Sequence, residues 1–288
     1  MIVDLSDGHF PDALATQLPL IHSRTEGPLE GVSIHTSPDR GQFYCRYADA
    51  TEFAYDRQAR HLWGRWPANL SFENALTYLL GPVAGLVLRA RGEICLHASV
   101  IEVEGECMAL TGPGGSGKST MAGLLSLRGH RVLTDDIAVL GQIDGRTTVR
   151  GGYPQINVWP GAAETLQALG ADELPALVPG HTTFTKRALS NPVMPLGGRL
   201  KAVYAGAPQL QSVPHVRSLQ AAEALTTLLR NVYAPYALTR RQRARDFDLL
   251  SEFVMRGSVR ELRGVADFSQ IEALADVLVD DFRKLTAS

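Results

Sequence analysis

The chain is poor in cysteine, has no marked excess of charge of either sign and contains no long apolar run. It has 288 residues, and its 28 lysines and arginines against 30 aspartates and glutamates give a formal net charge of −2. This balance supplies no basic field that would concentrate nucleic acid or an anionic membrane. The three cysteines, Cys45, Cys95 and Cys107, are odd in number and widely spaced, which fits reduced thiols better than a disulfide framework or a zinc site. We therefore expect no nucleic-acid partner.

Neither the start of the chain nor its most apolar stretch shows a membrane signal. Residues 1–14 have no basic start and no long apolar run, so we expect no signal peptide. The most apolar stretch, residues 78–88, contains two glycines and a proline and is shorter than the roughly 20 residues that a membrane-spanning helix needs. We expect a cytoplasmic protein with no membrane partner.

The patterning of the rest predicts two parts. Hydrophobic residues make up 45% and charged residues 20%, the usual mix of a globular protein with a core. Residues 1 to about 70 contain short alternating runs separated by turn-forming residues, and Ser71 can cap a helix that follows them. The C-terminal third has apolar residues at helical spacing. The sequence thus predicts a small β-rich N-terminal module over residues 1–90, and a domain over residues 91–288 with a helical C-terminal part.

A glycine-rich loop is the most informative feature of the second part. The run GPGGSGKST follows a predicted buried strand, 107–110, and precedes a predicted helix, 119–127. It matches the phosphate-binding pattern G-x-x-x-x-G-K-[ST], and its position between strand and helix argues against a chance turn. Glycines let backbone amides approach a polyphosphate, the lysine adds positive charge, and the serine hydroxyl can bind Mg²⁺. The predicted nucleotide-binding residues are Gly112, Gly114, Gly115, Ser116, Gly117, Lys118, Ser119 and Thr120.

Two adjacent carboxylates follow the next predicted strand, 131–134. In a strand–helix–strand unit with a parallel sheet, Asp135 and Asp136 would lie at the same edge of the sheet as the loop. One could hold magnesium, and the other could accept the proton of an attacking hydroxyl. A solvated turn is the alternative, but the neighbouring loop favours function. His97 begins the strand before the loop, and a lone histidine is more often structural than catalytic.

Residues 96–140 resemble the catalytic core of HPr kinase/phosphorylase and its relatives. A histidine before a strand hairpin, the glycine-rich loop, a helix, a Gly-His turn at 129–130 and paired aspartates occur in the family's order. The resemblance implies an α/β P-loop kinase core, with a nucleotide site like that of phosphoenolpyruvate carboxykinase. It implies ATP and Mg²⁺ as cofactors and transfer of the γ-phosphoryl group to a serine. In relatives that accompany lasso-peptide genes, the serine belongs to the precursor peptide.

The resemblance also assigns roles to residues. Asp135 would be the general base, Lys118 would bind the transferred phosphate, and Ser119 with Asp136 would hold Mg²⁺. His97 would lie near the γ-phosphate and either orient the base or stabilise charge. Thr148 stands where the family has a metal-binding glutamate, so the resemblance supplies no second metal ligand there. We therefore interpret the chain as a divergent relative of the family.

Three functions remain open at this stage. The first is a serine kinase acting on a peptide or small protein, and the second is a kinase for an amino acid or a sugar. The third is a nucleotide-dependent switch without phosphoryl transfer. The sequence leaves open ATP against pyrophosphate as donor, phosphorylase activity, and a homo-oligomeric state. It also leaves open whether Arg150, Lys186, Arg187 and the basic face Arg240–Arg245 bind ligands or are solvated.

Overall fold

The structure, a computed structural model, divides into two compact units. It describes residues 2–4, 10–24, 31–153, 155–174, 186–190, 197–210, 213–264 and 270–287. The first unit contains the described residues up to Glu93 together with Ala234–Arg245, and the second contains the other described residues. In the described ranges, no helix is both long and apolar enough to cross a membrane. The division of residues 1–90 and 91–288 into a module and a kinase domain stays a prediction.

The first unit is built on a six-stranded sheet in the order β1-β6-β5-β4-β3-β2. Strands β2 to β6 form an antiparallel meander, and β1 pairs with β6 in parallel. Buried positions alternate along β3 because successive side chains point to opposite faces of a sheet. The strands are β1 Ile2–Asp4, β2 Leu20–Arg24, β3 Val32–Thr36, β4 Gln42–Arg46, β5 Glu52–Asp56 and β6 His61–Arg65.

Three short helices complete this unit: α1 Asp12–Gln17, α2 Phe72–Tyr78 and α3 Ala84–Ala90. Ser71 caps α2 as predicted, because its hydroxyl accepts the amide of Asn74. A π-helical turn over Leu79–Val83 joins α2 to α3, and it contains Pro82, whose missing amide disturbs the regular helical hydrogen bonds. A 3₁₀ turn, Pro235–Ala237, precedes α7 Arg240–Arg256.

A mixed sheet forms the centre of the second unit, in the order β11-β10-β7-β8-β14-β16-β15, with β9 paired to β7. Because β11 also pairs with β14, five strands close into a ring. The strands are β7 Ile94–Val103, β8 Glu106–Thr111, β9 Arg131–Thr134, β10 Ile137–Ile143, β11 Arg146–Arg150, β12 Gln155–Val158, β13 Arg187–Ser190, β14 Gly197–Leu210, β15 His215–Ser218 and β16 Ser258–Gly264. Strands β12 and β13 form a separate pair.

The prediction of a parallel strand–helix–strand unit is only partly right. Strands β8 and β9 run in the same direction, but β7 lies between them and is antiparallel to both. The cause is the tight turn between β7 and β8, where Glu104 and Gly105 both have positive φ, at 53° and 85°, as hairpin turns of two residues require. The carboxyl ends of β8 and β9 still point to the same edge of the sheet.

Helices pack on this sheet around one apolar cluster. The other helices of the unit are α4 Lys118–Leu127, α5 Pro160–Ala168, α6 Ala221–Arg230 and α8 Ile271–Thr286. Leu125 of α4, Leu166 of α5 and Phe282 of α8 are wholly buried in the cluster. Burying a side chain of this size contributes roughly 1.5–3 kcal/mol. This packing fixes α4, and therefore the loop before it, against the sheet, and the chain is a mixed α/β protein.

Candidate active site

The glycine-rich loop joins β8 to α4 with a backbone that requires glycine. Gly112, Gly115 and Gly117 have φ values of 144°, 79° and 84°. A Cβ on Gly112 would lie 2.9 Å from Ser116 Oγ, so a larger residue would disturb the loop. Around Gly114 and Gly115, no described atom lies within 4 Å of the position that a Cβ would take. The outer face of the loop is therefore open to a ligand.

The start of α4 has the properties of an anion site. Its N-cap is Gly117, which has no side chain to accept the first amides of the helix. Within the described part of the chain, the buried hydroxyl of Ser116 has no hydrogen-bond partner. Thr120, by contrast, is buried in the first turn of α4. Unsatisfied donors at a helix N-terminus suit a phosphate, because the helix dipole adds to their hydrogen bonds.

Lys118 lies against this loop. Its Nζ donates to the carbonyl oxygens of Gly112, at 2.9 Å, and Pro113, at 3.0 Å. Burial lowers the pKa of Lys118, and the negative charges of Asp136 and Asp135 oppose that effect. The ammonium group therefore lies between the loop and the two carboxylates, where it can bind an anion.

Asp135 connects the loop to two strands. Its Oδ1 accepts the hydroxyls of Ser99, at 2.5 Å, and Ser119, at 3.0 Å, while its Oδ2 accepts the amide of Asn157 at 3.2 Å. Burial raises the pKa of Asp135, and the charge of Asp136 adds to the effect, whereas the three donors act to lower it. Both oxygens of this carboxylate are thus engaged by hydrogen bonds within the chain.

Asp136 pairs with His97. The Nδ1 atom of His97 lies 3.1 Å from Oδ1 of Asp136 and 3.1 Å from its carbonyl oxygen. Burial acts to raise the pKa of Asp136, but the hydrogen bond from His97 and the charges of Lys186 and Lys118 hold it below its ordinary value. The residue has a φ of 70°, which is uncommon outside glycine and frequent at functional sites.

Comparison with known proteins supports the family that the motifs indicated. No family model matches the chain. It is 34% identical to the HPr kinase/phosphorylase of Clostridium novyi (strain NT) over 97 residues, which are 34% of this chain and 30% of that protein. It is 41% identical to the HPr kinase/phosphorylase of Clostridium beijerinckii over 66 residues, 23% of this chain and 21% of that protein. The resemblance to an HPr kinase-like family is confirmed.

The similarity is partial. The chain spans less than a third of the length of these curated relatives. A solved structure described as the Hpr(Ser) kinase/phosphatase from Coxiella burnetii matches 67% of this chain and 93% of that one, with 12% sequence identity and a TM-score of 0.37. We infer no roles of individual residues from a structural similarity this low. The roles of the HPr kinase-like residues therefore rest on their own geometry.

Asn231, at the C-cap of α6, is a residue of this site that the sequence did not reveal. Its side-chain Oδ1 accepts the amide of Gly112 at 3.1 Å, and its carbonyl oxygen accepts the amide of His97 at 2.8 Å. Its Nδ2 donates to the carbonyl oxygen of Thr227 at 2.8 Å, which fixes the side chain. Asn231 is 119 residues from Gly112 and belongs to no motif, so no sequence signal could have found it.

Among the basic residues whose roles the sequence leaves open, Lys186 lies close enough to Asp136 for its charge to act on that carboxylate. Its charge contributes to lowering the pKa of Asp136, and its Nζ lies 5.3 Å from the ring centroid of Trp159. Arg187 begins β13 and pairs with Val158. Thr148 lies within β11, between Gly141 of β10 and Arg199 of β14.

The structure thus brings the loop, Lys118, both aspartates and His97 to one edge of the sheet. Over the described residues, no group of three or more histidine, cysteine, aspartate or glutamate side chains is arranged to hold a metal ion. The two predicted Mg²⁺ ligands are Ser119 and Asp136, and only Asp136 is of a type counted in such a group. The contacts join Ser119 to Asp135 rather than to Asp136.

Proposed function

We propose that this chain is an ATP-dependent kinase that transfers the γ-phosphoryl group to a serine hydroxyl of a peptide or small protein. A lasso-peptide precursor is one such acceptor. The observation that carries the proposal is the contact of Ser119, the P-loop serine, with Asp135, next to the pair of Asp136 and His97. A phosphate cradle alone would bind nucleotide, whereas two carboxylates with a histidine beside it provide for proton transfer as well. The nucleotide core would be of the P-loop type found in HPr kinase and phosphoenolpyruvate carboxykinase.

The residues present fit ATP and Mg²⁺. The open glycine loop and the glycine N-cap of α4 offer backbone donors to phosphate oxygens. The hydroxyl of Ser119 and the adjacent carboxylates offer the oxygen ligands that Mg²⁺ prefers. When bound, ATP supplies the phosphoryl group and Mg²⁺ neutralises charge on it. Lys118 would then exchange its carbonyl partners for phosphate oxygens.

The contacts favour roles for Asp135 and Asp136 that are the reverse of those that the resemblance implies. Asp135 touches Ser119 and accepts hydrogen bonds on both oxygens, which suits a carboxylate that holds the metal shell. Asp136 is oriented by His97 and has 44% of its side chain exposed, so an acceptor hydroxyl can reach it. We propose Asp136 as the base that takes the serine proton and Asp135 as the metal-holding residue. The serine oxygen would bond to the transferred phosphorus, and ADP would leave.

Incubation of the chain with Mg-ATP and candidate serine peptides tests the proposed reaction. We expect one added phosphoryl group per peptide by mass spectrometry, and its loss in Lys118→Ala, which removes the loop's positive charge. Turnover of a free amino acid or sugar with no turnover of any peptide would establish the small-molecule kinase instead. Tight ATP binding without transfer to any acceptor would favour a nucleotide-dependent switch.

Titration of Mg²⁺ against initial rate separates the roles of the two aspartates. If Asp135 holds the metal, Asp135→Asn raises the Mg²⁺ concentration needed for half-maximal rate. Asp136→Asn should instead lower kcat at every Mg²⁺ concentration and remove the acidic limb of the pH profile, because the base is gone. The reverse pattern would restore Asp135 as the base.

A further inference from the structure

A cavity in the first unit collects arginine side chains from separate elements. It has a volume of about 210 Å³ and is lined by Tyr55, Arg57, Arg60 and Arg91. Tyr55 belongs to β5 and Arg57 follows that strand, whereas Arg60 lies in the turn before β6 and Arg91 is the C-cap of α3. Three guanidinium groups therefore border one concave space, which we call the arginine pocket.

Most of this positive charge has no carboxylate beside it. Arg57 pairs with Asp39 at 3.1 Å and donates to the carbonyl oxygen of Ala90 at 3.3 Å. For Arg60 and Arg91, no carboxylate among the described residues lies within ion-pair distance. Asp56 is close by and its negative charge also acts on Tyr55; it accepts the side chain of Gln42 and the amide of Ala59, and together with Asp39 it leaves the three arginines in excess by one charge. The pocket thus keeps an excess of positive charge.

Two further observations show where the positively charged guanidinium groups lie. Burial raises the pKa of the Tyr55 phenol, while Arg91, Arg57 and, more weakly, Arg60 oppose that effect, so all three charges lie near one hydroxyl. Arg245, in the part of α7 that belongs to the same unit, has Nη1 3.4 Å from where a Cβ on Gly92 would lie. A fourth guanidinium group therefore lies beside the segment that carries Arg91. One member of the basic face Arg240–Arg245 therefore lies beside Gly92, the residue that follows Arg91 in the chain.

We propose that the arginine pocket binds a small, multiply charged oxyanion, either a phosphate ester or a polycarboxylate. Guanidinium groups match carboxylate and phosphate oxygens in two-pronged hydrogen bonds, and several guanidinium groups around one cavity select for a multivalent anion. A volume of about 210 Å³ corresponds to the liquid volume of about seven waters, which accommodates an anion of this size. The site lies in the unit without the glycine-rich loop and does not depend on the proposed phosphoryl transfer.

Calorimetric titration of the full chain with pyrophosphate and with citrate tests this site, with glycerol as the uncharged control. The titrations use the Lys118→Ala background, which weakens binding of phosphates at the glycine-rich loop. We expect at least one of the two anions to bind, with an affinity that falls as salt is added. Pyrophosphate alone would assign the pocket to phosphate esters, citrate alone to polycarboxylates, and binding of both to oxyanions in general.

Arginine variants then locate the binding. Arg60→Gln and Arg91→Gln should each weaken binding by about tenfold, because each removes a charge-assisted hydrogen-bond donor. The matched control is Arg240→Gln, which makes the same change about 140° around α7 from Arg245 and should alter affinity by less than about twofold. Arg91→Lys keeps the charge but loses the two-pronged geometry, so it should also weaken binding.

Two results would overturn the proposal. One is that neither anion binds to the chain that has all its pocket arginines. The other is that Arg240→Gln weakens binding as much as Arg91→Gln, because the anion would then respond to a diffuse basic surface. Thermal unfolding of each variant confirms that the chain is folded. No phosphoryl transfer is measured, so loss of the kinase activity elsewhere in the chain leaves the result intact.

Discussion

Replacement of Asn231 by alanine would remove the side chain that ties the end of α6 to the first residue of the glycine-rich loop. The amide of Gly112, a buried residue, would lose its acceptor Oδ1. A buried donor left without a partner costs about 1–3 kcal/mol. If half of that cost, about 0.5–1.5 kcal/mol, falls on the ligand-binding conformation of the loop, nucleotide affinity should fall by about two- to twelvefold, because each 1.4 kcal/mol is about a factor of ten in binding.

The same variant should leave His97 in place. The amide of His97 bonds to the main-chain oxygen of Asn231, which alanine retains. The loss should therefore appear mainly as weaker nucleotide binding and a higher KM for ATP, with a smaller change in kcat. Isothermal titration with a non-hydrolysable ATP analogue and steady-state kinetics measure the two effects separately.

A matched control is available in the first unit. Asn74 also lies at a helix end, where its Oδ1 accepts the amide and the hydroxyl of Ser71. Asn74→Ala should lower the melting temperature without changing nucleotide affinity. Two results would contradict this role of Asn231: Asn231→Ala binds nucleotide as tightly as the parent chain, or Asn74→Ala weakens binding to the same extent.

Three more changes test other parts of the structure. Gly112→Ala should lower the melting temperature, because the residue has a φ of 144° and its Cβ would meet Ser116. Gly114→Ala should leave the melting temperature unchanged, since open space surrounds that residue. Equal changes of melting temperature in the two variants would contradict these reasons. Ser99→Ala removes a donor that lowers the pKa of Asp135, so protonation of Asp135 should begin to raise the Mg²⁺ concentration needed for half-maximal rate at a higher pH than in the parent chain, and an unchanged pH dependence of that concentration would refute the link. Glu52 accepts hydrogen bonds from Tyr44, Arg46 and Arg65, and although its burial acts to raise its pKa, these partners hold it below the ordinary 4.5. Glu52→Gln should therefore lower the free energy of unfolding by about 2 kcal/mol at pH 7. This difference should shrink as pH falls through and below 4.5, because the parent chain then loses the same charge. Chemical denaturation at pH 7 and pH 4 measures the difference, and a difference independent of pH would contradict the assignment.

Local features of the site were predictable because their causes are local. The loop is a continuous run of residues whose glycines are needed for positive φ. The capping of α2 by Ser71 likewise depends on atoms three residues apart. In each case the residue types dictate the backbone geometry without reference to the rest of the chain.

Features that depend on strand order were not predictable. A strand–helix–strand pattern does not tell whether a third strand lies between the two, and here β7 does. Ser99 is one of many serines in the sequence, and its importance comes from the register that sets its hydroxyl 2.5 Å from Asp135. Asn231 reaches the loop only because α6 ends beside the start of β7, where Tyr233 donates its amide to Cys95.

The paired aspartates show how the two kinds of information combine. Sequence alone gives two identical side chains at one strand end and cannot distinguish them. The contacts do so, because Asp135 is directed towards Ser119, whereas Asp136, whose φ is 70°, is directed towards His97. Burial raises the pKa of Asp135, while a histidine and two lysines hold that of Asp136 down, so the first carboxylate gains most from a cation and the second is ionised at neutral pH. Because a raised pKa by itself makes a carboxylate the stronger base, we assign the base to Asp136 on its exposure and its contact with His97, and the metal to Asp135 on its contact with Ser119.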